Sequence, residues 1–170
     1  MADMIAVKFC PRCGAALEQR YCFGASRPCC PACSYVHFYD PKVAAAVFIQ
    51  QGGRILLIKR AVEPERGKWA LPAGYVDALE DPRVTAVREV REETGLEVRL
   101  TGLLDVFYSQ QRPGASIIIV YVAEVIGGAL QPQDDAAEVA WYSPDDLPEL
   151  AFDSTRELVS AWVNAHRAAG

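Results

Sequence analysis

Residues Gly74 to Leu96 read GYVDALEDPRVTAVREVREETGL, and the way this stretch folds decides how the rest of the chain is read. Asp81 and Pro82 suit the N-cap and first position of a helix, because an Asp side chain accepts an otherwise orphaned N–H and proline has none to leave unpaired. The helix is expected to run through Val90 and to stop near Gly95, which is free to take the left-handed C-terminal conformation. Val84, Val87 and Val90, at offsets of three, are expected to face a core while the glutamates face elsewhere. The offsets of Glu89, Glu92 and Glu93 bring three carboxylates to one helical face. Like charges so placed destabilise a helix by roughly 0.2–0.5 kcal/mol per pair, so something must compensate them.

A divalent cation would do so. Three carboxylates on one face form a hard-oxygen site suited to Mg²⁺ or Mn²⁺, with Glu89 and Glu93 as leading ligands and Glu92 sharing coordination or water activation. Gly74 lets backbone approach the same ions, which makes the Ala73 carbonyl a further candidate ligand. Arg88 can pair with Glu80 across the loop and hold the glutamates in place, so Glu80 is read as an orienting residue rather than a first ligand. A solvated acidic helix would account for the glutamates, but not for the glycine, the arginine and their spacing.

Outward from the helix, Val43–Gln50 and Arg54–Arg60 (VAAAVFIQ and RILLIKR) read as strands joined by a Gln51-Gly52-Gly53 turn. Trp69 to Pro72 is a short strand ended by its proline and by Ala73-Gly74. Further strands are expected at Glu97–Leu104, Ser116–Val125 and Val139–Tyr142, with a polar loop between Ser109 and Ser116. Ser154 and Glu157 have the spacing of a capping box opening a last helix, with Leu158, Val159 and Trp162 on its apolar side. Strands with two helices packed on them give an α/β or α+β sandwich.

All six cysteines lie within the first 33 residues. Cys10 with Cys13, and Cys30 with Cys33, form two C-x-x-C knuckles separated by 16 residues, the spacing of a four-thiolate structural Zn²⁺ site. Cys29 could replace Cys30, and Cys22 is left over; His37 is at the wrong distance from a knuckle. Six ordinary buried thiols would not need paired knuckles. Four thiolates leave no open position, so this zinc is not catalytic. With the break at Asp40-Pro41, residues 1–40 read as a zinc ribbon and 41–170 as a second domain.

The net charge of −5 argues against broad binding of nucleic acid or an anionic membrane, and would repel an anionic substrate unless a cation stood between. No run of 18 apolar residues supports a spanning helix, and the opening MADMIAVKFCPRC does not read as a secretory signal. Together with the thiols this gives the cytoplasm as the expected compartment.

From Gly74 the sequence also resembles the Nudix box: G, five residues, E, seven residues, then R-E-U-x-E-E-x-G-U, where U is a bulky aliphatic. Gly74, Glu80, Arg88, Glu89, Val90, Glu92, Glu93, Gly95 and Leu96 fill every defined position, and the likeness extends over about residues 42–165. The resemblance implies a Nudix α/β/α sandwich with a mixed sheet, and metal-dependent hydrolysis of a nucleoside diphosphate linked to another group. It also makes Glu138, three residues before Trp141-Tyr142, a candidate ligand or general base, the alternative being a solvent-facing loop acid. Relatives of this kind are commonly homodimers.

A four-cysteine ribbon before such a domain resembles two groups. In the NADH pyrophosphatases, which also remove NAD caps from RNA, S-Q-P-W-P-F-P-x-S follows the box. Ser109 to Ser116 (SQQRPGAS) keeps the Ser-Gln and one Pro but lacks both aromatics, which would be candidates to stack on a base. The FAD and ADP-ribose type shows runs similar to Asp40-Pro41-Lys42, Gly67–Tyr75 and Leu150-Ala151-Phe152. The expectation is therefore FAD or ADP-ribose first and NADH or an NAD cap second. A reading of another class is a module that senses a nucleotide, or binds RNA or protein, without cleaving it; the complete set of acidic box residues argues against it.

Overall fold

The computed structural model describes residues 7–109 and 117–169, so the loop from Gln110 to Ser116 lies outside the described residues. The chain forms two compact units, Met1–Asp40 and Pro41–Gly170.

In the first unit, β1 (Glu18–Cys22) and β2 (Ala25–Cys29) pair as an antiparallel hairpin, with one knuckle before it and one after. Gly14 follows the first knuckle at φ 74°, and Ser34 takes the same left-handed conformation after the second at φ 59°. The buried residues described in this unit are Cys10, Pro28, Cys29 and Cys30, too few for an apolar core.

In the second unit, β3 (Val43–Gln51) and β4 (Arg54–Arg60) form the expected hairpin. Both turn glycines have positive φ, 58° and 73°, as a two-residue turn of this hand requires. β5 (Trp69–Ala70) pairs with β4, β7 (Leu96–Tyr108) with β8 (Ile117–Gly128), and β9 (Ala136–Tyr142) with β4, all antiparallel. β3 and β8 run parallel, so the sheet is mixed. β6 (Ala73–Tyr75) pairs with β3 where the sequence had read only a strand end.

Alternation along β3 builds two layers. Ala45, Val47 and Ile49 pack with Ala86 and Val90 of α1 (Pro82–Thr94), whereas Ala46 and Phe48 pack with Val159, Trp162 and Val163 of α2 (Asp153–Ala169). One helix on each face makes the sandwich.

Several boundaries move. β7 runs past the expected end at Leu104 to Tyr108, with register shifts between Leu100 and Gly102 and between Leu103 and Asp105. β9 begins three residues early, so Glu138 lies in a strand rather than a loop. α2 begins at Asp153, placing Ser154 inside the first turn instead of at the cap. α1 starts and stops as expected: Asp81 accepts the Arg83 N–H, and Gly95 sits at φ 71°.

The packed face of α1 keeps Val87 and Val90 of the valine stripe but not Val84. Val84 is 58 % exposed, and Thr85, Ala86, Val90, Glu93 and Thr94 are the buried residues. The helix is turned so that Glu89 and Glu93 face β6: the Ala73 N–H donates to Glu93, and the Glu89 carboxylate lies against Gly74.

Candidate active site

The α1 glutamates line a cavity of about 780 Å³ in the second unit. Glu93 is 2 % exposed, and its Oε2 accepts the Ala73 N–H at 2.9 Å. Burial pushes its carboxyl up to about 8, against the lowering effect of the Ala73 N–H. Burial also raises Glu89, against the nearby Arg88. A Cβ on Gly74 would come within 1.9 Å of the Glu89 carboxylate. A side chain there would oblige the Glu89 carboxylate to move, since that carboxylate occupies the volume the side chain would fill.

Arg88 organises the wall. Its Nε and Nη2 donate to the two Glu80 oxygens at 3.0 and 3.1 Å, and Nη1 donates to Glu89 at 2.7 Å and Glu92 at 2.9 Å. The forked contact holds the Glu80 carboxyl down at about 2. Arg88 thus ties the loop before α1 to two of the three helix carboxylates.

Two further expected site residues stand apart from the helix wall. Ala73 lines the cavity and donates its N–H to Glu93. Glu138 is ion-paired with Lys59, its β4 neighbour, at 2.7 Å and does not line the cavity. Asp134 and Asp135 line it instead. Their loop is fastened to the end of α1 by Gln131 N–H to Thr94 O (2.9 Å) and Gln133 N–H to Glu93 O (3.2 Å). Sequence reasoning missed both, because an Asp-Asp pair in a polar stretch looks like any solvated turn.

The donor set is all oxygen: ionisable carboxylates around a cavity wall, with Oε1 of Glu93 not committed to the Ala73 N–H. It fits Mg²⁺ or Mn²⁺. Phe152, the first turn of α2 and Arg60 also line the cavity.

In the first unit the Sγ atoms of Cys10, Cys13, Cys30 and Cys33 lie within 4.8 Å of one another. Cys10 and Cys33 are 3.6 Å apart, and Cys13 and Cys30 are 3.5 Å apart. A tetrahedron of sulfurs each about 2.3 Å from zinc has edges of roughly 3.8 Å, so the quartet fits that ion. Burial works against a thiolate at Cys30, yet the N–H groups of Cys33 and Ala32 bring it down to about 6. Cys29 turns away to lie 3.3 Å from Cys22, which resolves which member of the Cys29-Cys30 pair joins the quartet.

These features carry a family signature, and comparison with known proteins agrees. Residues 40–163 match the NUDIX domain, and the chain belongs to that family, whose enzymes use divalent metals. It is 43% identical over 121 residues to an ADP-ribose pyrophosphatase of Methanocaldococcus jannaschii, covering 70% of this chain and 72% of the relative. It is 32% identical over 160 residues to the NAD-capped RNA hydrolase NudC of Pseudomonas aeruginosa, covering 92% of this chain but 55% of the relative, so it spans about half that protein's length. The crystal structure of a NUDIX hydrolase from Nitrosomonas europaea superposes with a TM-score of 0.84 at 29% identity, over 95% of this chain and 93% of the other.

Proposed function

We propose that this Nudix pyrophosphatase hydrolyses the diphosphate of an ADP-containing compound, with ADP-ribose or FAD preferred, releasing a nucleoside monophosphate. The observation that carries the reading is the Glu89 carboxylate seated on Gly74 beside the buried Glu93, in a cavity large enough for such a substrate. The 43% identity to an ADP-ribose pyrophosphatase supports the substrate class.

Glu89 and Glu93 would hold the cations, with Glu92 sharing coordination or positioning water. When bound, Mg²⁺ or Mn²⁺ neutralises the diphosphate, polarises phosphorus and lowers the pKa of an attacking water. Arg88 and Glu80 keep the glutamates in register, and the Ala73 N–H fixes one oxygen of Glu93. An acidic chain can thus accept an acidic substrate. The zinc of residues 1–40 is structural in this reading. A second copy of the chain is the partner expected from the resemblance, and the exposed Leu103, Val106 and Tyr108 on edge strand β7 are compatible with one. Among the described residues no helix is long and apolar enough to cross a membrane; the free thiols support the reducing cytoplasm.

NADH, or an NAD cap on RNA, is the second reading, favoured by the 92% of this chain that the NudC relative covers. The test is release of nucleoside monophosphate from ADP-ribose, FAD and NADH with Mg²⁺. Faster release from ADP-ribose or FAD than from NADH is expected. The reverse order favours the second reading, and binding without release from a broad nucleotide panel would make the chain a sensor.

A further inference from the structure

Two guanidinium groups line the cavity, and the protein engages them differently. Arg88 is surrounded by the carboxylates of Glu80, Glu89 and Glu92. Arg60, the last residue of β4, forms no ion pair among the described residues, although nine carboxylate side chains line the same cavity. An arginine serving only as a strut would be expected to take one of them.

Arg60 is nonetheless firmly held. A register shift between Lys59 and Arg60 separates the two: Lys59 pairs with Glu138, while Arg60 lines the cavity. Its backbone N–H donates to Lys68 O at 2.9 Å, and its carbonyl accepts the Gly67 N–H at 2.9 Å. On the side chain, Nε donates to Pro64 O at 2.8 Å, and the guanidinium lies over the Phe152 ring, 5.0 Å from its centroid. Among the described residues, both terminal nitrogens are left without a protein acceptor. The result is a fixed planar fork, with its donors uncommitted, in the cavity that holds the carboxylate wall.

We propose that Arg60, braced by Pro64 and Phe152, binds the substrate's diphosphate through its two terminal nitrogens. The proposal rests on the reading of the cavity as a diphosphate-hydrolysing site and assigns the recognition of phosphate oxygens not held at the glutamate wall. Guanidinium matches two phosphate oxygens at once, and stacking on Phe152 keeps the fork from turning toward the surrounding carboxylates.

The test is steady-state kinetics with ADP-ribose and Mg²⁺ on the full chain and on the variants Arg60→Gln and Phe152→Leu. Mn²⁺ affinity and melting temperature are measured alongside. Arg60→Gln should raise KM about 10- to 100-fold, the scale of a lost hydrogen-bonded charge, with Mn²⁺ affinity unchanged. Phe152→Leu should raise KM about two- to fivefold, since it removes the stack and leaves the charge. A wild-type KM in Arg60→Gln overturns the proposal even if its melting temperature falls. Should that variant not fold, an unchanged KM in Phe152→Leu overturns it equally. Failure of the unmodified enzyme to cleave any diphosphate sinks both this proposal and the reading it rests on, whereas turnover with unaltered KM in the variants sinks this one alone.

Discussion

The thiolate quartet of the first unit and the carboxylate wall of the second both present cation ligands, and they stand in opposite relations to the fold. The sulfurs of Cys10, Cys13, Cys30 and Cys33 sit in a segment whose buried residues are three cysteines and a proline, so the ligands themselves take the place of a core. The glutamates sit on a unit with two apolar layers, and burial there works against their charge, as the raised carboxyls of Glu93 and Glu89 show. In the first unit a cation would hold the fold together. In the second the fold is already made and holds groups that a cation would relieve. A bound cation would thus be a structural requirement in one place and a functional addition in the other.

Zinc removal gives the largest contrast. Structural Zn²⁺ contributes on the order of 10–16 kcal/mol in small four-ligand modules, so chelation or Cys10→Ser should unfold residues 1–40. The second unit should keep its amide exchange protection, because its apolar clusters contain no residue of the first. Simultaneous loss of protection in β3 and β4 would show that the zinc supports both units. The opposite manipulation is Glu93→Gln, which should lower turnover by a factor on the order of 10²–10⁴, the scale of losing a positioned acid–base group, while zinc content and circular dichroism stay unchanged. Wild-type turnover in that variant would remove Glu93 from the site.

How much of this contrast could be read in the sequence follows the range of the interactions. The knuckle spacing, the β3–β4 hairpin with its two glycines, and the Asp81 and Gly95 ends of α1 are set by neighbours along the chain, and each is found where its residues put it. The facing of α1 is not local. Three valines at offsets of three imply one stripe, yet β6 is paired to β3 nearly thirty residues away in sequence and draws Glu89 and Glu93 inward, leaving Val84 in solvent. Asp134 and Asp135 reach the cavity only because Gln131 and Gln133 are tied to the end of α1, a contact that no periodicity announces. The choice of Cys30 over Cys29 likewise rests on the contact of Cys29 with Cys22, which the knuckle spacing does not announce.

A smaller effect separates the two sites by pH. Glu93 keeps its proton in the folded chain up to about 8, whereas the unfolded chain loses it near 4.5. Between those values the folded state binds more protons, so its stability falls as pH rises through the window and levels off above it. With Mg²⁺ and Mn²⁺ chelated, the melting temperature of the second unit should drop between pH 5 and pH 8, and it should drop less in Glu93→Gln. Excess Mn²⁺ should also reduce the drop, because a cation stabilises the ionised form. An equal drop in the parent chain and in Glu93→Gln, both without metal, would mean that Glu93 is not the strained group.

The smallest expected effect decides which acids beyond α1 belong to the open site. Glu138 is half-exposed and paired across the strands with Lys59, a kind of contact that contributes about 0–1 kcal/mol. Removing its charge should leave turnover within about twofold, since a surface pair of this kind carries little energy. Asp134 and Asp135 line the cavity beside the buried end of α1, and their charges are felt at Glu89 and Glu93 respectively. Asp135→Asn or Asp134→Asn should therefore reduce kcat or Mn²⁺ affinity about 10- to 100-fold, as loss of a group supporting a metal ligand does. The ranking matters more than either value. If Glu138→Gln is the more damaging change, the β9 acid is part of the chemistry and must leave Lys59 during turnover. If the aspartates are, then the open site takes its acids from two segments, α1 and the loop strapped to its end, whereas the closed site takes all four sulfurs from two knuckles that need no such strap.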